Sequence, residues 1–439
     1  MKFQHNKQYN KFLILWVGQF FSMIGSGLTS FALGIYVFQK TDSVTSFTML
    51  LLCIFLPSVL IKPFGGVLAD RFDRRLLMFL GDFGASLGTV FILILMHYLL
   101  SGLWFIYLGI IVSSISGSFQ EPAYKATITD LLPKELYDKA SGLMQLASSS
   151  QYLISPFIAG ILLSFFNIKF IFMIDILTFI LAVITTLWVR KSIGNIDLKR
   201  KASKLLNDFK EGINELLNQK GVLWLVLITM FVLFFVGLLQ SLLVPMLLSL
   251  TDTKFTGIIQ SITAAGMIAG SLFIGIFGSK KKYVKMLSMS LFFTGVFFSL
   301  IGVNTNLIFI TIVGFLFFSF LPFVNTSIEV LIRNNIDNEK QGRIWSIIST
   351  ITYFGSIIAF LVAGFLADKI FNPLLQPGGL LALSIGKIIG IGETRGIGLI
   401  FIIAGIFISF ISMIIFKNKY VRKLEFNNNQ VVLVKDLNF

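Results

Sequence analysis

Gly65-Gly66-Val67-Leu68-Ala69-Asp70-Arg71-Phe72-Asp73-Arg74-Arg75 interrupts an otherwise apolar stretch, and the next hydrophobic segment opens at Leu76. Small residues close one apolar run, a tight charged turn follows, and a second apolar run begins at once. A turn this short between two hydrophobic segments has no room for an enzyme site. It has room for a hinge or a latch, or for a positive loop that only sets the orientation of its neighbours.

The rest of the chain explains why the segments on either side are so apolar. Of 439 residues 56% are hydrophobic and only 13% charged, with a mean hydropathy of +0.87. A water-soluble protein of this length has no interior large enough to hide that surface, so the composition defines a polytopic membrane protein. The formal charge of +15 would suit nucleic acid. Its placement in short loops between apolar segments argues against that and for topology signals instead. The single cysteine, Cys53, lies inside an apolar segment, which excludes an intrachain disulfide and leaves the compartment unread. His5 and His97 stand far apart with no ligand neighbours, so no metal site and no cofactor is expected. At the start, Lys2, Lys7 and Lys11 precede an apolar run too long for a secretory signal and without a small-residue cleavage site. The expectation is an uncleaved first helix.

Twelve spans are predicted, at about 12–38, 44–66, 76–98, 103–127, 140–165, 169–189, 221–249, 255–278, 284–303, 307–331, 344–368 and 396–416. Each carries about the 20 apolar residues that a bilayer core requires. An even number puts both termini on one face, and the excess of Lys and Arg in the loops of that face makes it the cytoplasmic one. The predicted organisation is therefore all-α. A six-helix bundle at 1–189 is followed by a cytoplasmic linker at 190–220, a second six-helix bundle at 221–416 and a cytoplasmic tail at 417–439. In the linker, Leu205, Leu206, Phe209, Ile213, Leu216 and Leu217 recur at helical spacing after a basic stretch. That pattern fits an interfacial amphipathic helix, or else a solvated connector. Sliding one half along the other puts Phe119 on Phe323, Glu121 on Asn325, Glu135 on Glu339 and Ala159-Gly160 on Ala363-Gly364. This is a weak internal repeat of two pseudo-symmetric halves.

The pattern Gly-x-x-x-Asp-Arg-x-x-Arg-Arg of the opening stretch resembles the loop between the second and third helices of the major facilitator superfamily of transporters. The resemblance runs nearly end to end and sharpens toward the drug-efflux branch that includes the macrolide-efflux proteins. It is carried by Trp16-Val17-Gly18-Gln19-Phe20 with Gly25, Thr29 and Ala32, and by Phe119-Gln120 with Pro122, Ala126 and Leu132-Pro133-Lys134-Glu135. In the second half it rests on Pro322, Asn325, Gln341-Gly342-Arg343 and Ala363-Gly364-Phe365-Leu366-Ala367-Asp368. Two features depart from the pattern. Ser155-Pro156-Phe157-Ile158-Ala159-Gly160 is only a partial version of the antiporter signature of the fifth helix, with Pro156 as the expected bend, and residues 103–120 contain no arginine. The departures leave the proton-coupling group open and not the fold.

The resemblance implies a gating motif of Gly65, Gly66, Asp70, Arg71, Arg74 and Arg75, together with Asp130. Asp70 would face the N-terminal dipole of the eleventh helix near Ile344, and Arg74 or Arg75 would pair with Asp130. Inside the membrane, charged residues are functional candidates because each costs about 2.5–3.5 kcal/mol on insertion scales. Glu121 and Asp175 are therefore the proton-coupling candidates. Glu121 has a static pair with Lys62 or Lys125 as its alternative, and Asp175 has packing or gating. Asp82 and Glu329 lie toward the cytoplasmic ends of their spans and are expected to reach the interface and act structurally. The substrate cavity is expected at the midplane, with Gln19, Ser22, Ser26 and Asn325 as its polar lining. Few fixed charges there would suit a hydrophobic or amphipathic small molecule.

No nucleophile–base set supports an enzyme, and the glycines of 369–395 lack the strand and the Lys-Ser/Thr of a nucleotide loop. The expected function is proton-coupled export of drug-like compounds by alternating access. The protein doing this would be a monomer in the multi-pass setting of a bacterial plasma membrane, its partners being protons, lipid and the substrate, with no nucleic acid. The alternatives are a transporter of a metabolite or siderophore-like molecule, and a non-transporting receptor or lipid scramblase.

Overall fold

The computed structural model describes residues 2–98, 102–133, 136–193, 216–217, 219–277, 282–336, 341–392 and 394–425. Twelve of its helices are long and apolar enough to cross a membrane. In chain order they are α1 (Lys2–Thr41), α2 (Val44–Arg71), α3 (Arg74–His97), α4 (Leu103–Leu131), α5 (Tyr137–Phe165), α6 (Ile168–Ile193), α7 (Lys220–Leu248), α8 (Thr253–Phe277), α9 (Tyr283–Val303), α10 (Leu307–Arg333), α11 (Gln341–Phe365) and α12 (Arg395–Lys417). Helices are the natural solution for such segments, because hydrocarbon offers no partner for a backbone N–H or C=O and a helix satisfies both internally. Apart from Leu216, which is buried, and Leu217, the expected amphipathic linker helix lies outside the described residues.

Two compact units are present. The first comprises Met1–Asp42, Ser46–Ala202 and Thr253–Ile258, and the second Ser43–Thr45, Ser203–Asp252 and Ile259–Phe439. Within the first, α1 packs on α5 and α6, and α3 packs on α4 and α6. Within the second, α7 packs on α11, and α9 packs on α10 and α12. The two units thus repeat one pairing scheme, with α3–α4 and α3–α6 recurring as α9–α10 and α9–α12.

Polar residues mark the helix ends where the chain must stop and restart. Asp73 caps α3, its Oδ1 accepting from the Arg75 N–H at 3.0 Å, and its Oδ2 accepts from Arg190 Nε at 2.8 Å at the far end of α6. Asn306 caps α10 by accepting from the N–H groups of Ile308 and Phe309. These are the orphan donors of a first helical turn, and an Asp or Asn cap contributes about 1 kcal/mol. Ser43–Thr45 group with the second unit because Asp368 holds them. Its carboxylate accepts from Ser43 Oγ at 2.9 Å, from the Val44 N–H at 3.2 Å and from the Thr45 N–H at 2.8 Å.

The second unit is held by aromatic and small-residue packing. Phe298 is fully buried and its ring meets those of Phe235, Phe317 and Phe401 at centroid separations of 5.1 to 6.2 Å. Where α9 crosses α12, a Cβ on Gly302 would stand 3.1 Å from Gly398 Cα, so the backbones touch in the manner of small-residue membrane interfaces. The eleventh span continues past the expected boundary at 368. A π-helical turn at Leu366–Phe371 and a short helical turn at Asn372–Leu375 carry it on. The segment up to α12 is folded, with Leu375, Ile389 and Leu399 forming a small core against Phe371, Leu381, Ile385 and Ile402.

Candidate functional site

The first unit encloses a cavity of about 680 Å³ to which all six of its long helices contribute. Polar side chains from several helices line it. α1 supplies Gln19, Ser22 and Ser26, α3 supplies Asp82 and Thr89, α4 supplies Gln120 and Glu121, and α6 supplies Asp175. Polar groups at this depth are retained only where they find partners or line a water-filled space. Three of the expected substrate residues, Gln19, Ser22 and Ser26, are thus gathered at one cavity. The fourth, Asn325, is an exposed residue of α10 in the second unit.

Asp82 and Asp175 are the two buried carboxylates among the described residues, at 3% and 1% exposure. Sequence reasoning placed Asp82 near an interface, where it would snorkel; the structure corrects this. Eight residues of helix separate it from Arg74, about 12 Å along the axis, and its side chain turns inward to the cavity. Its Oδ2 accepts from Gln19 Nε2 at 2.9 Å, and Gln19 Oε1 in turn accepts from Gln120 Nε2. Depth was legible from the residue number, but the helix face was not, since α3 shows apolar residues on more than one side of Asp82.

Asp175 is reached by Thr89 Oγ1 at 3.4 Å. Thr29 lies beside it, yet neither Thr29 Oγ1 nor Asp175 Oδ1 completes a hydrogen bond. A buried acceptor left open in this way is expensive in a low-dielectric interior unless a proton or ligand visits it.

Glu121 is less buried and already compensated. Its Oε2 lies 2.8 Å from Lys62 Nζ and its Oε1 lies 2.8 Å from Lys125 Nζ, one turn along the same helix. A proton arriving there has to compete with two ammonium groups.

The opening motif is placed in part. A Cβ on Gly65 would stand 2.9 Å from Ser118 O and 3.2 Å from Pro122 Cγ, so its missing side chain lets α2 lie against α4. Arg74 is buried and donates from Nη1 to Ala126 O at 2.9 Å, one turn before Asp130; Arg75 is buried as well. The side chains of Asp70, Arg71 and Asp130, and the surroundings of Gly66, lie outside the described residues. The residue of this turn that sequence reasoning missed is Asp73. Its signal was present, an aspartate immediately before a helix start. α5 runs unbroken through Pro156.

Twelve membrane helices, a repeated packing scheme and a polar cavity inside a bundle define a polytopic transporter. The sequence profile of the Major Facilitator Superfamily matches residues 15–360, and the chain belongs to that superfamily. Macrolide efflux protein A of Streptococcus pyogenes is 28% identical over 380 residues, covering 84% of this chain and 92% of that protein. Multidrug resistance protein 2 of Bacillus subtilis (strain 168) is 26% identical over 406 residues, 88% of this chain and 96% of its own. Among solved structures, the nucleoside transporter NupG superposes with a TM-score of 0.71 at 15% identity, over 93% of this chain and 100% of that one. At that identity the likeness speaks to the fold alone.

Proposed function

We propose that the protein exports hydrophobic or amphipathic drug-like compounds in exchange for protons, by alternating access, as a monomer of a bacterial plasma membrane with both termini in the cytoplasm. The observation that carries this reading is the cavity of the first unit, roomy and lined by amides, hydroxyls and two buried carboxylates, in a chain whose relatives are named for macrolide efflux and multidrug resistance. Amides and hydroxyls can hold a large polar-edged molecule without demanding a particular charge, and a buried carboxyl can take up and release a proton in the same space.

In this reading Asp175 is the proton carrier, because its Oδ1 is open and no cation among the described residues pairs with it. Glu121, clamped by Lys62 and Lys125, is the lesser candidate and sets the charge balance of the cavity mouth. Asp70, Arg71, Arg74, Arg75 and Asp130, with Gly65 and Gly66 allowing close approach, form the cytoplasmic latch of the outward-open state. Asn325 is assigned to the substrate path from the second bundle. Each proton entering down a 100 mV potential supplies about 2.3 kcal/mol to drive export.

The test is accumulation of a macrolide and of lipophilic dyes by energised inside-out vesicles, with and without a protonophore. Protonophore-sensitive accumulation is expected. Protonophore-insensitive accumulation would remove the antiport, and failure to accumulate any of these compounds from well-inserted protein would favour a metabolite substrate or a non-transporting role.

A further inference from the structure

We infer that Asp82 is a second proton site of the transport cycle, and that the amide chain Gln19–Gln120 converts its protonation into the hydrogen-bonding character that α4 shows the substrate. This rests on the antiport reading above and adds to it the residues that make substrate and proton exclude one another.

The argument starts from the donors and acceptors available. A carboxylate only accepts, so Gln19 must turn its NH₂ to Asp82 Oδ2, as it does at 2.9 Å. The one acceptor Gln19 has left is its Oε1, and Gln120 Nε2 fills it. Gln120 then keeps its carbonyl free to accept, beside the second N–H of its amide, on a residue that lines the cavity. With Asp82 ionised, the chain therefore presents an acceptor to the substrate. When Asp82 takes a proton its carboxyl becomes a donor, and the stable partner for it is Gln19 Oε1. Both amides then reverse, and Gln120 presents N–H. The only covalent change is one O–H bond made or broken at the Asp82 carboxyl, with the proton exchanged through the cavity.

A substrate carrying hydroxyl or ammonium donors binds the acceptor form and so stabilises ionised Asp82. Protonation of Asp82 withdraws that acceptor and releases the same substrate. Mutual exclusion of this kind is what an exchanger needs.

The setting supports a switch over a static contact. Gln19 is 1% exposed and Asp82 3%, so each is largely buried in the cavity wall. A Cβ on Gly81 would stand 2.7 Å from Gln120 Cβ and 3.3 Å from its Cα, and glycine there lets α4 bring Gln120 within reach of Gln19. The groups around Asp82 are uncharged or committed elsewhere. α1 offers Gln19; α4 offers Gln120, then Glu121 held by Lys62 of α2 and by Lys125. α6 offers Asp175, engaged with Thr89 of α3. Tyr124 and Tyr137 complete the titratable lining of the cavity, and no cation among the described residues pairs with Asp82.

The experiment measures protons released when a macrolide binds purified, detergent-solubilised protein in weak buffer with a pH indicator, binding being followed separately by equilibrium dialysis. Wild type is expected to release protons on binding. Asp82→Asn is expected to bind and to release about half as many protons per macrolide, Asp175 supplying the rest, and Asp82→Glu to restore release. Gln120→Leu keeps Asp82 in place, so it tests the relay even if Asp82→Asn folds poorly; release per macrolide bound should fall in it as well. Full release from Asp82→Asn, or from Gln120→Leu, would overturn the inference while leaving antiport standing. Binding without proton release in wild type would overturn the antiport reading, and this inference with it.

Discussion

The two units share a pairing scheme and differ in what they enclose. The first surrounds a cavity of about 680 Å³ with amides, hydroxyls and carboxylates, and both buried carboxylates among the described residues belong to it. In the second, Phe231, Phe235 and Phe317 close on a void of about 10 Å³. A space that small and apolar stays dry. The internal repeat makes the divergence concrete. It aligns Gln120 with Val324, fully buried, and Glu121 with Asn325, exposed. At these positions the helix scaffold repeats while the side-chain chemistry differs. The lesson is that a repeated helix scaffold leaves side-chain chemistry free to diverge, with both buried carboxylates among the described residues in one unit.

Substitutions can break or sharpen this contrast. The largest effect is expected where the second unit is tightest. Gly302→Leu would drive a side chain into the Gly398 backbone and cost more than about 3 kcal/mol. Loss of the monodisperse peak in detergent gel filtration would show it, whereas a well-folded variant would mean the α9–α12 contact is looser than described. Phe298→Ala comes next, at roughly 3 kcal/mol, most of it lost packing since lipid is as apolar as the core. Its melting temperature in detergent should drop while protons moved per drug stay constant; a changed ratio would mean that the second unit takes part in coupling.

Asp175→Asn should do the reverse, leaving the melting temperature near wild type and lowering uphill export about tenfold, a coupling loss of about 1–3 kcal/mol. Asp73→Ala removes the α3 cap and the Arg190 partner and should cost about 1 kcal/mol, read as thermal stability. Smallest is the cluster at Glu121, whose side chain is 43% exposed. Replacing it together with Lys62 by Gln and Met should change stability by less than about 1 kcal/mol, and less than Glu121→Gln alone, which strands two ammonium groups.

Much of the fold could be read from the chain because a bilayer imposes length and apolarity on every span, and twelve runs satisfied both. The Asp73 cap followed an ordinary rule of helix starts. What could not be read was helix rotation. Asp82 was expected to snorkel because its depth allowed it. Only the packing of α3 on α4 and α6, permitted at Gly81 by the absence of a side chain, turns it inward. Gln120 and Thr89 carry no signal of their own in the sequence, since a lone amide or hydroxyl in an apolar run means little until its partner on another helix is known. The boundary at 368 fell short for a related reason. Asp368 reads as the end of a span, yet a π-helical turn carries the helix on and places its carboxylate against Ser43, Val44 and Thr45.

The most direct measurement is the number of protons moved per drug molecule in proteoliposomes, for wild type, Asp175→Asn and Asn325→Leu. If coupling chemistry belongs to the first unit, Asn325→Leu keeps the wild-type ratio even where drug affinity falls, and Asp175→Asn loses it. A ratio that survives Asp175→Asn and collapses in Asn325→Leu would contradict the account.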